Sequence, residues 1–216
     1  MTCAEIIKYL KNQANKKNVA GMKKFGIDPN NALGISIPVL RSYAKKIGKD
    51  HKLAQELWKT GIHEAKILAS MVDDPALVSD PQMDRWVKDF DSWDVCDQAC
   101  LNLFHLTENA YKKCFDWAKR KNEFEKRAGF ALMAVLAVHG KQFIDRDFID
   151  FFSTIKAGAA DNRNYVKKAV NWAIRQIGKR NLKLRKEAIK FSETMVRMGS
   201  PSAVWIAKDA LRELRK

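Results

Sequence analysis

The stretch that decides the fold is 125-EKRAGFALMAVLAVHGK-141, read beside 166-VKKAVNWAIRQIGKR-180. Laid with Ala128 over Ala169, 41 residues apart, the two keep the same small and apolar positions, and Arg127 falls over Lys168. The segment 204-VWIAKDALRELRK-216 repeats the theme about 38 residues later, with Ala207 over Ala169. Within 164–180 the apolar residues Val166, Ala169, Val170, Ala173, Ile174 and Ile177 form one stripe at helical spacing. At about 100° per residue Trp172 points about 130° away from the centre of that stripe, among Tyr165, Lys168, Arg175, Gln176 and Lys179. A large indole on a cationic, water-facing side calls for a reason.

The same periodicity runs along the chain. Ser36 with Pro38 opens IPVLRSYAKKIGK, Asp50 opens HKLAQELWKT, and Ser79 opens DPQMDRWVKDF. Asp91 or Ser92 caps WDVCDQACLNLFHL, and four more segments of this kind complete the chain. No useful length alternates with period two, so strands are not expected. A period near 40 with two helices per unit predicts an all-α chain: a curved α-α superhelix of HEAT-like helix pairs forming a single domain over residues 1–216. Equivalent positions then line up along one face, which makes Arg127 and Lys168 rungs of one ladder.

Composition bounds the function. The 216 residues carry a formal charge of +15 with 46% hydrophobic residues, which points to a folded protein with a polyanionic partner. Aspartates crowd the stretch 73–97, whereas 163–190 is dense in Lys and Arg with a single Glu. The longest apolar run, AGFALMAVLAV, is about half the ~20 residues a membrane span needs. MTCAEIIKYLKNQ has no apolar core of the secretory kind, so a cytoplasmic, nucleoid-associated protein is expected, with no membrane partner. Cys96 and Cys100 lie one helical turn apart, but His51, His63, His105 and His139 provide no matching pair. The four cysteines therefore read as reduced thiols, and neither a metal nor a cofactor is expected.

Trp93 and Asp97 in DFDSWDVCDQAC are four residues apart and share a helix face to within about 40°. Asp94 sits in the first helical turn, where exposed N–H groups favour a carboxylate. Asp97 lacks that explanation. It is either one side of a salt bridge or a functional carboxylate that the surrounding cations keep charged.

Taken in order, 34-GISIPVLRSYAKKIGK-49, 93-WDVCD-97, 126-KRAGFAL-132 and 167-KKAVNWAIRQIGKRN-181 resemble the AlkD-like family of DNA alkylation repair glycosylases, from about Lys8 to Leu211. The resemblance implies a HEAT-like fold and a concave basic surface lined by a Trp-x-x-x-Asp pair, an arginine on a following repeat and a tryptophan on the next. Trp93, Asp97, Arg127 and Trp172 stand at those places and are the candidate catalytic residues. It further implies action on the lesion from the backbone side, without a base pocket. The segment 21-GMKKFGIDPNNALG-34 stands where founding members carry an aromatic-rich stretch that helps hold DNA. Lys23, Lys24, Lys126, Arg163, Lys168, Arg175 and Lys179 are the expected phosphate contacts on double-stranded DNA, with Arg127 beside them.

The chemistry fits. A purine alkylated on a ring nitrogen is cationic and has a weakened bond to its sugar; indole faces attract cations by about 0.5–2 kcal/mol. A fixed carboxylate would stabilise the positive charge that develops on the sugar and orient the attacking water. The expectation is a monomeric, monofunctional DNA N-glycosylase acting on 7-methylguanine and 3-methyladenine. The alternative is a non-catalytic HEAT-like module that recognises DNA structure, with Asp97 in a salt bridge.

Overall fold

The computed structural model describes residues 1–216 as thirteen α-helices joined by short turns and 3₁₀ segments, with no strand. The chain forms two compact units, Met1–Thr107 and Glu108–Lys216. Charge divides unequally between them: the first holds 15 Lys and Arg against 13 Asp and Glu, the second 25 against 12. The second unit thus carries a net +13 of the chain's +15.

The first unit comprises α1 (Cys3–Asn12), α2 (Lys16–Met22), α3 (Ile37–Ile47), α4 (His51–Lys59), α5 (His63–Val72), α6 (Asp80–Lys88) and α7 (Trp93–Asn102). Ser36, Asp50, Ser79 and Ser92 are the residues before α3, α4, α6 and α7, as expected, but Ser36 and Ser92 offer no side-chain cap: the Ser92 hydroxyl turns onto Asp91 at 3.2 Å instead. Asp50 and Ser79 accept the Leu53 and Gln82 amides, which meets otherwise orphaned donors of the first turn. Helix α5 packs on α3, α4 and α7 and is buried almost all round, its polar residues included, as a central helix must be. Under it Trp58 and Trp86 stack at 3.9 Å between centroids, with Phe90 and Phe104 against them. The WDVCDQACLNLFHL segment is shorter than one helix: α7 ends at Asn102, Leu103 leaves helical geometry (φ −132°), and Phe104–Leu106 is a 3₁₀ turn. Fully buried Phe104 directs the chain into the core there rather than along the helix axis.

The second unit comprises α8 (Ala110–Ala118), α9 (Glu123–His139), α10 (Asp145–Gly158), α11 (Asn164–Arg180), α12 (Leu182–Val196) and α13 (Pro201–Leu214). These are six segments after α7 where four were expected. Helices α9 and α11 are each 17 residues long and begin 41 residues apart. Every residue of the α11 stripe is buried, and its equivalents in α9 are buried in the same order. The third repeat is offset by one from its expected register. Ala203, Ile206, Ala207, Ala210 and Leu214 of α13 follow Val166, Ala169, Val170, Ala173 and Ile177 at 37 residues, so Ala207 matches Val170 and Trp205 takes the Lys168 position. Burial, which must be continuous across packed helices, decides this register over side-chain likeness. Gly129 lets α8 and α9 touch: a Cβ there would lie 2.4 Å from the Ala118 backbone nitrogen.

No helix is long and apolar enough to cross a membrane. All four cysteines are unbonded to one another, with Cys96, Cys100 and Cys114 buried, and no group of three His, Cys, Asp or Glu side chains is gathered as a metal site.

Candidate nucleic-acid interface

In the first unit the candidate pair stands on α7. Trp93 is its first residue and Asp97 its fifth; both are half-buried. The indole is held in place, with Nε1 donating to the Phe25 carbonyl at 3.1 Å. That contact joins α7 to the segment carrying Lys23, Lys24 and Phe25, all exposed, Phe25 to 66%. The segment 33–35 is itself anchored. Glu64, only 1% exposed, accepts the amides of Leu33 (2.8 Å), Gly34 (2.6 Å) and Ile35 (3.2 Å) on its two oxygens. Gly34 has φ +75°, and a Cβ would fall 2.4 Å from the Asn15 carbonyl oxygen, so only glycine fits. Trp93, Asp94, His63, Ile35, Ile37 and Ile67 line an open hollow of about 310 Å³ beside these contacts.

Asp94 does more than favour the helix start. One oxygen accepts the Val95 amide at 3.0 Å, and the other lies 2.8 Å from His63 Nε2. Burial pulls the His63 pKa down, but the hydrogen bond and charge of Asp94 outweigh it and leave the imidazole above its ordinary value. Burial likewise pushes Asp94 up, and His63 outweighs it, so the carboxyl ends below its ordinary value. Glu64 and His63 were missed as site residues because their partners lie about 30 residues away in the chain. The detectable signal was the pair itself, two titratable residues opening a helix that carries a long apolar run, Ile67, Leu68, Ala69, Met71 and Val72.

In the second unit α11 presents Lys168 exposed, without an ion pair or hydrogen bond, and Trp172 one turn further on, half-buried. The Trp172 indole neither stacks on another ring nor makes a hydrogen bond. It is thus less open than a fully solvent-facing position 130° from the stripe implies. The other expected phosphate contacts are placed differently. Lys126 meets Asp161 at 3.0 Å, and Arg163 closes on the same carboxylate with Nε at 3.0 Å and Nη2 at 2.6 Å. The Arg163 hydrogen bonds, reinforced by Lys126 and opposed by partial burial, hold Asp161 far below the usual carboxylate range. Arg175 and Lys179 both bond to Glu213 of α13, with Asp209 3.7 Å from Arg175. Burial raises Glu213, and the two cations overcome that and lower it. Arg127 is 6% exposed and donates Nη1 to the Tyr165 carbonyl at 2.7 Å. Lys23, Lys24 and Lys168 therefore stand open, whereas Lys126, Arg163, Arg175 and Lys179 are ion-paired and Arg127 is buried. The carboxylates responsible, Asp161, Asp209 and Glu213, all lie outside the Glu-poor stretch 163–190.

Stacked helix pairs with a recurring inner register define a HEAT-like repeat protein. A solved structure described as "a new family of proteins related to the HEAT-like repeat DNA glycosylases with affinity for branched DNA structures" superimposes with a TM-score of 0.81 at 18% identity, covering 99% of this chain and 96% of that one. The sequence profile of the DNA alkylation repair enzyme family matches residues 6–205, and the chain belongs to that family. No curated protein matches it.

Proposed function

We propose that this protein is a monofunctional DNA N-glycosylase that removes cationic alkylated purines, 7-methylguanine and 3-methyladenine, from double-stranded DNA. The observation that carries the reading is the pair on α7: an indole fixed by its own N–H and a carboxylate one turn away, both partly open to solvent. In this reading the Trp93 face packs on the deoxyribose of the damaged nucleotide and favours its positive charge. The C1′–N bond breaks with its electron pair leaving on the purine, which neutralises the ring. Positive charge then resides on the sugar. Asp97 stabilises it, aligns a water on C1′ and accepts the proton that the water loses, leaving free base and an abasic site. Trp172 supplies the second indole. Lys23, Lys24 and Lys168 hold phosphates directly, while phosphates compete with Asp161 and Glu213 for the paired cations. Arg127, held by the Tyr165 carbonyl, acts as a fixed positive charge rather than a mobile phosphate clamp.

The deciding experiment is single-turnover release of 7-methylguanine from a duplex with enzyme in excess. Asp97→Asn is expected to lower the rate at least ~100-fold, the scale of a lost transition-state charge contact, with duplex affinity equal or tighter. The second reading is a non-catalytic DNA-binding module, favoured by the described affinity of the solved relative for branched DNA. Wild-type protein that releases no base while preferring a four-way junction over a duplex would establish it.

A further inference from the structure

The helices of the first unit share a register that the charge distribution makes informative. Counting from each first residue, the fifth positions of α3, α5 and α7 are Arg41, Ile67 and Asp97, and the ninth positions of α3 and α5 are Lys45 and Met71. Arg41, Lys45, Lys49, Met71 and Asn102 together line one open cleft of about 310 Å³, which places α3, α5 and α7 side by side along one face. The unit holds 13 carboxylates, nearly as many as its 15 cations, yet neither Arg41 nor Lys45 has one within ion-pair distance. Both are exposed. Asp73 and Asp74 are the acidic residues near Lys49; the Asp73 carboxylate is turned inward onto His51 at 2.7 Å and Gln82 at 2.7 Å, and its backbone carbonyl is what reaches the lysine. The Lys49 ammonium is tethered across the cleft by the Met71 and Asp73 carbonyls at 3.0 and 2.7 Å. Asn102, bonded to Ser70 and Gln98, closes the far wall.

Two exposed cations on successive turns of α3, Arg41 and Lys45, neither of them ion-paired, together with Lys49 just beyond the helix end, form a seat for consecutive anions. The spacing of a helical turn, about 5–6 Å, is close to that between neighbouring phosphates of a DNA strand. We propose that the α3–α7 cleft seats the DNA backbone, with Arg41 and Lys45 each neutralising a phosphodiester and Lys49 fixing the end of the row. The inference rests on the DNA-binding reading above and adds a contact in the unit that carries little net charge.

The test is fluorescence anisotropy of a short fluorescein-labelled duplex, titrated from ~50 to 200 mM salt. Each phosphate contact contributes about 0.9 to the slope of log K against log salt, or about eightfold in affinity at ~0.1 M. Arg41→Gln with Lys45→Gln should therefore reduce the slope by about 1.8 and weaken binding by up to ~60-fold. Lys8→Gln with Lys11→Gln removes the same charge from exposed positions on α1 and should leave the slope unchanged. Arg41→Lys with Lys45→Arg should restore binding, which excludes a folding defect. If the glutamine pair keeps the wild-type slope while wild-type protein binds the duplex, the cleft is not a phosphate seat and the DNA-binding reading stands. If α1 and α3 substitutions act alike, the effect is net charge and the seat is again refuted. Wild-type protein that fails to bind duplex at low salt overturns both.

Discussion

Glu64→Gln separates the scaffold of the first unit from its chemistry. The carboxylate is 1% exposed and takes three amides: Leu33 on one oxygen, Gly34 and Ile35 on the other. Glutamine is nearly isosteric but offers one acceptor oxygen. Set on Gly34 and Ile35, that oxygen turns two charge-assisted bonds of about 1.5–3 kcal/mol into neutral ones of about 0.5–1.5 kcal/mol. The amide nitrogen then faces the Leu33 N–H, so that bond is lost and two donors oppose each other. Relief from burying a charge offsets several kcal/mol of this gross loss, leaving a net destabilisation of about 2 kcal/mol. That is about a 30-fold change in a local opening equilibrium. The expected result is about 30-fold faster hydrogen exchange at Gly34 and Ile35, new proteolytic cleavage near 23–33, and weaker DNA binding through Lys23 and Lys24. Unchanged exchange at Gly34 together with an unchanged urea midpoint would refute the reasoning, since the carboxylate would then not be what holds the segment.

Gly129→Ala gains up to ~1 kcal/mol in helix propensity but places Cβ 2.4 Å from a backbone nitrogen of α8, so a net loss of about 2 kcal/mol is expected in thermal unfolding. A raised Tm would show that the two helices do not approach this closely. The His63–Asp94 pair predicts a stability window in pH. His63 is raised, so its contribution is full below the ordinary histidine value near 6.5 and is lost as pH rises through the raised pKa; Asp94 is lowered, so its contribution is full above about 4 and is lost as pH falls below that. The Tm deficit of His63→Gln should accordingly be largest between about pH 4.5 and 6.5 and shrink toward pH 9, and a constant deficit would count against the pair.

Much of this protein follows from local rules. Asp50 and Ser79 mark helix starts because their side-chain oxygens accept a first-turn amide three residues on, while Ser36 and Ser92 mark theirs through extended backbone alone. The 41-residue repeat of α9 and α11 is legible because a buried stripe has a period and stacking preserves it. Trp93 and Asp97 on one face of α7 required only the pitch of a helix. The fate of each charge was another matter. Lys126, Arg163, Arg175 and Lys179 read as a free cationic face, and the fold brings Asp161 and Glu213 onto them. Asp94 found His63, Glu64 found three amides of a segment 30 residues earlier, and Arg41 and Lys45 were left open. Helical periodicity is a property of the chain's own backbone, so composition and spacing determined it. An ion pair is a distance between residues remote in sequence, and only the packing of helix on helix decided which cations stay unpaired.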